Sequence, residues 1–226
     1  MSRSAVVLFA KAPRPGAVKT RLCPPLSPTM AARLYRCFLL DALDRVRTVD
    51  GTTPAVAYAP RRSRRFFAAA RPGMLLIPQT GADLGARMAG VFQRLFGQGF
   101  EAVVLIGADS PTLPPDYLRR AIRALDDVGV DGVIGPSEDG GYYLIGLRQP
   151  CPELFAGIAW STARVMDQTL ARARRSGRRL RTLPAWYDVD TVEDLRRLAA
   201  ELKGRRGSPV RTRHLLGTAP WRAVAR

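Results

Sequence analysis

With 226 residues the chain can bury one sizeable core and is short for two, and 46% hydrophobic with 24% charged residues is an ordinary globular balance. The net charge of +17 is not ordinary: it reads first as arginines solvating helix faces, and it also admits a phosphate-rich ligand, an acidic membrane or nucleic acid as partner. Three cysteines without CxxC spacing and a single histidine exclude a disulfide framework, structural zinc and His-based triads, and with no apolar window of spanning length a cytoplasmic protein is expected.

Residues 5–10, AVVLFA, predict a first buried strand. The loop at 11–25, KAPRPGAVKTRLCPP, carries Lys11, Arg14, Lys19 and Arg21. A basic, glycine-containing loop directly after a buried strand is where α/β proteins commonly seat phosphates. It is not a Walker A loop, because Val18 precedes Lys19 and Thr20, and it lacks GxGxxG. Ser27 is a cap candidate for a helix over 27–46, with Met30, Leu34, Phe38, Leu39, Leu43 and Val46 at helical spacing. Strands are predicted at 54–59 and 74–77, separated by a short basic helix over 61–70. A helix over 83–96 follows, with Leu84, Met88, Val91, Phe92 and Leu95 on one face and Gly97 and Gly99 closing it.

The stretch at 101–114, EAVVLIGADSPTLP, organises the rest. Its continuous apolar run suits a strand covered on both faces, and the run stops where Asp109 is delivered. Ligands of open α/β sheets bind outside the carboxyl ends of strands, where an aspartate can hold a divalent cation against phosphate oxygens. The competing reading makes Asp109 a cap for the helix starting near Pro114 or Pro115. Strand and helix alternate strictly to this point, which predicts a parallel, doubly wound sheet.

A helix at 115–125 and a strand at 132–136 come next, then SEDGGYYLIGL at 137–147. Glu138 and Asp139 precede Gly140 and Gly141, and this loop reads equally as a plain hairpin turn and as a functional loop on the edge that carries Asp109. Trp160, Ser161 and Thr162 are expected to begin a helix running to about Arg175, with Val165, Met166, Thr169 and Leu170 inward. After a strand at 179–183, Asp188 and Asp190 lie two apart in an extended segment and point to one side. Thr191 to Asp194 has capping-box spacing for a helix to about Leu202. Lys203, Arg205, Arg206, Arg211, Arg213, Arg222 and Arg226, without an acid, predict a basic, poorly packed tail over 204–226 behind a single domain over 1–203.

Cations for phosphates together with carboxylates for a divalent ion are the minimum equipment for handling a nucleoside diphosphate or triphosphate. The runs FAKAPRPGAVKTRL, GADSPTLP, GPSEDGGYYLIGL, IAWST and DVDTVEDL, in this order over about residues 4–202, resemble the bacterial nucleotide-diphospho-sugar transferases often labelled as arsenosugar-biosynthesis glycosyltransferases. The resemblance implies a GT-A type fold, a Rossmann-like, mostly parallel α/β sheet with helices on both faces. It also implies a nucleotide-sugar donor, a small-molecule acceptor and Mg2+ or Mn2+. Carried onto this chain, it makes Asp109 the metal carboxylate, with Asp190 or Asp188 as a second, and it puts Lys11, Lys19 and Arg21 on the diphosphate. Asp139 then orients or deprotonates the acceptor, with Glu138, Gly140, Gly141 and Trp160 on the acceptor side.

The first stretch and ADSP also resemble guanylyltransferases of phospholactate-type acids and, more broadly, sugar-phosphate and molybdopterin nucleotidyltransferases. Those enzymes join a nucleoside triphosphate to a small phosphorylated acceptor and release pyrophosphate. Gly107, Ala108 and Asp109 match only the last aspartate of the glycosyltransferase DxD, and the nucleotidyltransferases' GGxGxR loop is missing. A metal-dependent glycosyltransferase is therefore expected, with a nucleotidyltransferase and an idle nucleotide-binding protein as alternatives. No specific nucleic-acid partner is expected, since aromatics interleaved with basic residues are scarce.

Overall fold

Seven strands form one sheet in the order β3-β2-β1-β4-β6-β5-β7 in the computed structural model, which describes residues 3–204, 206–207, 209–218 and 221. The strands are β1 (Ser4–Lys11), β2 (Thr52–Ala59), β3 (Leu75–Pro78), β4 (Ala102–Ile106), β5 (Gly132–Pro136), β6 (Tyr142–Leu147) and β7 (Leu180–Thr182). The helices are α1 (Pro28–Val46), α2 (Arg64–Ala70), α3 (Leu84–Phe96), α4 (Pro115–Asp126), α5 (Val165–Arg175), α6 (Val192–Leu202) and α7 (Val210–Leu216).

The strand period of two sorts side chains onto two faces. Val6, Leu8, Val56 and Val104 meet α1, α2 and α4 on one face, whereas Ala5, Val7, Ala55, Ala57, Val103 and Leu105 meet α3 and α5 on the other. β4 is covered on both sides, no residue in it being more than 3% exposed. Burying a Val, Leu or Ile side chain fully contributes about 1.5–3 kcal/mol relative to leaving it in water, so the central strand is a principal source of cohesion.

The expected caps form. Met30 N–H donates to Ser27 Oγ at the start of α1, and Thr191 and Asp194 make a reciprocal capping box at the start of α6. Three expectations need correction. β6 runs antiparallel to both β4 and β5, because residues 137–141 alone connect β5 to β6 and a parallel crossover needs about a dozen residues or more. α5 begins at Val165, not at Trp160. Ser161 takes a left-handed φ of 64°, and Thr162 Oγ1 donates back to Ala159 O at 2.7 Å, local bonding that competes with helix.

The third correction concerns the tail. Leu215, Leu216 and Trp221 are buried with Leu34 and Phe38 of α1 and with Leu195, Leu198 and Leu202 of α6. Asp41 of α1, 2% exposed, accepts from the backbone N–H groups of Arg211 and Thr212, from Thr212 Oγ1 and from Arg211 Nη1. A few apolar side chains and one buried carboxylate thus dock a segment whose composition is dominated by arginine. Arg205, Arg222 and Arg226 lie outside the described residues. Among the described residues no helix is long and apolar enough to cross a membrane.

Candidate active site

β1, β4 and β5 are parallel, so their carboxyl ends share one edge of the sheet, and antiparallel β6 starts from that same edge. The chain continues from β1 to β2 on one side, while β4 lies on the other, so the strand order reverses between β1 and β4. The crevice outside such a reversal is the usual ligand position of open α/β sheets. Lys11 ends β1, and Gly107, Ala108 and Asp109 follow β4.

Asp109 does not cap α4, whose N-cap is Pro114 without a side-chain hydrogen bond. It binds Lys19 instead. The Lys19 side chain is 2% exposed, and its Nζ lies 2.5 Å from Asp109 Oδ1 and 2.8 Å from Asp190 Oδ1. The same ammonium donates to Val189 O at 2.7 Å, while Val189 N–H donates to Asp109 O at 2.9 Å. Lys19 itself has the left-handed φ of 49°, in a loop that also buries Ala12, Val18 and Leu22. Burial disfavours the Lys19 ammonium, but the attraction of Asp109 and Asp190 and the bonds to them outweigh that and raise its pKa. Burial likewise opposes ionisation of Asp190, and Lys19, with Arg21 behind it, holds this carboxyl below its ordinary value. Lys19, expected on the diphosphate, is thus paired with two carboxylates and a backbone carbonyl.

Asp188 takes a different environment from Asp190. It accepts from Ser110 Oγ and, at 2.9 Å, from Ser137 Oγ. Burial, then repulsion from Asp109, pushes it up to about 6 against those hydrogen bonds and Lys19. The segment carrying both aspartates is stitched to the edge by a parallel bridge of Trp186 to Ser137 and by Glu138 N–H donating to Trp186 O. From below, buried Arg45 of α1 donates to Ser110 O and Pro111 O and holds the loop after β4.

A cleft of about 650 Å³ opens here, with Lys11, Arg21, Asp109, Asp139, Asp188 and Asp190 on its polar wall and Met88, Leu105, Ile145 and Trp160 among its apolar lining. A second cleft of about 470 Å³ adjoins it through Lys11, Asp109, Ser161 and Asp190 and adds Gln79, Asp83 and Arg87. Asp139, Gly141 and Trp160 thus line the cleft. Asp139 Oδ1 accepts from Gly141 N–H at 2.9 Å and makes no other hydrogen bond among the described residues. Glu138 does not reach it: both its oxygens accept from Arg197, at 2.6 and 3.0 Å, on the far side of the hairpin. Gly140, at φ 86°, serves close packing, because a Cβ there would overlap the Ala163 backbone.

Gln79 and Arg87, with Leu84 and Met88, which the sequence marks only as one face of a helix, line the clefts without having been read as site residues, and the two serines on Asp188 were not read as such either. PQTGADLGARM at 78–88 offered the signal for the first four: a glycine-containing loop between β3 and α3 falls on the edge that carries Asp109.

The donor set suits a hard divalent cation. Asp109 and Asp190 are partly exposed, at 43% and 38%, and each spends one oxygen on Lys19. Among the described residues no group of three or more His, Cys, Asp or Glu could hold a metal ion. Two carboxylates completed by phosphate oxygens and water is an ordinary Mg2+ arrangement, so these residues fit a metal that shares its coordination with a nucleotide.

With this geometry in view, the comparisons with known proteins are informative. A protein of Desulfovibrio desulfuricans G20, provisionally named a nucleotide-diphospho-sugar transferase, has a crystal structure that superposes with a TM-score of 0.90 at 38% identity, covering 100% of this chain and 97% of that one. The CMP:2-keto-3-deoxy-manno-octonic acid synthetase complexed with CTP reaches 0.60 at 14% identity over 90% of this chain and 99% of its own. The 4-diphosphocytidyl-2C-methyl-D-erythritol synthase of Anaerococcus prevotii DSM 20548 reaches 0.60 at 10% identity over 89% and 96%. At those identities they show the fold alone. No curated protein matches the sequence. The family described as "Uncharacterized protein conserved in bacteria (DUF2064)" matches residues 42–162. With the sheet, the ordered motifs and the full-length relative in agreement, the chain belongs to the DUF2064 family of bacterial proteins and has the nucleotide-diphospho-sugar transferase fold.

Proposed function

We propose that this transferase-like chain is a metal-dependent glycosyltransferase using a nucleotide-diphospho-sugar donor. The observation that carries the reading is the meeting of two partly exposed carboxylates, Asp109 and Asp190, with the exposed cations Lys11 and Arg21 at the strand-order reversal. A diphosphate along that edge has its charge compensated by Lys11 and Arg21, and a guanidinium fork suits two phosphate oxygens. Asp109 and Asp190 would hold Mg2+ or Mn2+, which supplies positive charge beside the departing diphosphate.

Across the cleft, Asp139 offers Oδ2 as the base. It takes the proton of an acceptor hydroxyl as that oxygen bonds to the anomeric carbon, and the bond from that carbon to the diphosphate breaks with its electron pair on the phosphate oxygen. The provisional name of the 38% identical relative supports the donor class. So does the first loop, KAPRPGAVKTRL, which lacks the GGxGxR pattern of enzymes that form nucleotide sugars.

The test is a panel of nucleotide sugars with Mg2+ or Mn2+, read by release of nucleoside diphosphate. Asp109→Asn should lower that rate by about 100-fold or more with the fold intact. An unaffected rate would remove Asp109 from the chemistry, and pyrophosphate released from a nucleoside triphosphate instead would move the site to nucleotidyl transfer.

A further inference from the structure

The larger cleft is chemically divided. Its only cationic lining among the described residues is Lys11 and Arg21, both from β1 and the loop after it. Its other lining includes an apolar wall and Asp139, an acid that makes no ion pair among the described residues. That wall is built around Trp160, half-buried and edge-on to Tyr142 at 6.5 Å between ring centroids. The indole is seated against the backbone of α3 at Gly85, where a Cβ would come within 2.9 Å of Trp160 Nε1. Met88 and Leu105 extend the surface, and the Tyr142 hydroxyl is spent on Met88 Sδ at 3.9 Å, so the wall offers a ring or chain contact area and few hydrogen bonds.

An anion placed there would meet the Asp139 carboxylate, which makes no ion pair among the described residues. Like charges a few ångströms apart at a partly wet surface repel. A flat apolar group, by contrast, gains from covering Trp160. Resting on the glycosyl-transfer reading above, we propose that the acceptor is a neutral hydroxyl compound with an apolar ring or chain, which lies on the Trp160 wall and presents its hydroxyl to Asp139, and that it is not a phosphorylated acid.

The matched probes are 2-phenylethanol and 2-phenylethyl phosphate, titrated into the full chain and followed by the Trp160 indole N–H resonance, assigned with Trp160→Phe. The alcohol should shift that resonance at concentrations on the order of tenfold below those the phosphate requires, a difference in the range that one such repulsion supplies. Asp139→Asn should narrow the gap by improving the phosphate alone. Equal or tighter binding of the phosphate overturns the proposal, and so does failure of both probes to move the Trp160 resonance. Calorimetry of nucleoside diphosphates with Mn2+ on the same preparation reads the donor side separately. Nucleotide binding without alcohol binding sinks the acceptor assignment only, and alcohol binding without nucleotide binding sinks the transfer reading.

Discussion

Lys19 Nζ and Asp109 Oδ1 meet at 2.5 Å, and Asp190 Oδ1 completes the bridge at 2.8 Å, so one buried ammonium ties the loop after β1 to the loop after β4 and to the segment before α6. Replacing Lys19 by Met keeps the aliphatic stem and removes the charge. The two carboxylates then repel, and Val189 O loses its donor. Because the carboxylates are partly exposed, water can reach them, and the loss should be about 1–3 kcal/mol in urea denaturation rather than that of a fully buried pair. Nucleotide affinity should survive in this variant more than in Arg21→Ala, whose stability should be unchanged. A Lys19→Met protein of full stability would contradict the bridge.

Metal should bind with the nucleotide, not ahead of it. Asp109 and Asp190 alone offer an incomplete coordination shell, and Lys19 competes for one oxygen of each. In electron paramagnetic resonance, free Mn2+ should persist when protein is added and be drawn down only when a nucleoside diphosphate is present. Tight Mn2+ binding by protein alone would call for ligands beyond these two.

The docking of α7 depends on Asp41, which is 2% exposed and accepts from Arg211 and Thr212. Asp41→Ala leaves those donors without an acceptor and should cost about 2–3 kcal/mol, with α7 amides losing hydrogen-exchange protection before those of the sheet. Nucleotide binding at native temperature should be unaffected, since no residue of α7 lines either cleft.

Arg211 Nη1 also donates to Asp44 Oδ2 of α1 at 2.6 Å, and this second tie to α7 should loosen in acid. Burial opposes ionisation of Asp44, but hydrogen bonds from Arg71 and Arg211 dominate and hold its carboxyl below the ordinary value. A depressed folded-state pKa gives stability that is present above the unfolded value, about 3.9, and is lost as pH falls through the folded one. Exchange protection of α7 should therefore be flat at neutral pH and decline below about pH 4, and Asp44→Asn should abolish that decline.

Neighbouring residues of the β5–β6 turn should respond oppositely. Glu138→Ala removes an exposed pair with Arg197 and should change stability by less than about 1 kcal/mol, with turnover intact. Gly140→Ala forces a side chain into a left-handed backbone and against Ala163, so it should displace the Trp160 loop and lower kcat/KM several-fold or more. A variant with normal turnover would show that the turn and the loop move independently.

Some of this was legible in residue order alone. The apolar run that stops at Gly107 announced a central strand with Asp109 at its end, and Ser27, Thr191 and Asp194 announced their helix starts, because strand burial and capping act within a few residues. The five motifs carried the fold for the same reason: each is a local segment in an order the sheet preserves.

What only the folded chain decided was where charges meet. Nothing near Lys19 in sequence distinguishes a phosphate ligand from a carboxylate clamp, since its partners Asp109 and Asp190 arrive from β4 and from the approach to α6. Glu138 and Asp139 are adjacent, yet the hairpin turn sends one to Arg197 and the other to the cleft. Arginine dominates the composition after residue 203, but Leu215, Leu216 and Trp221 decide its packing once α1 and α6 present an apolar surface. Local propensity is settled within a turn of chain, whereas the partner of a charge or of an exposed apolar face is settled only when distant segments close on one another.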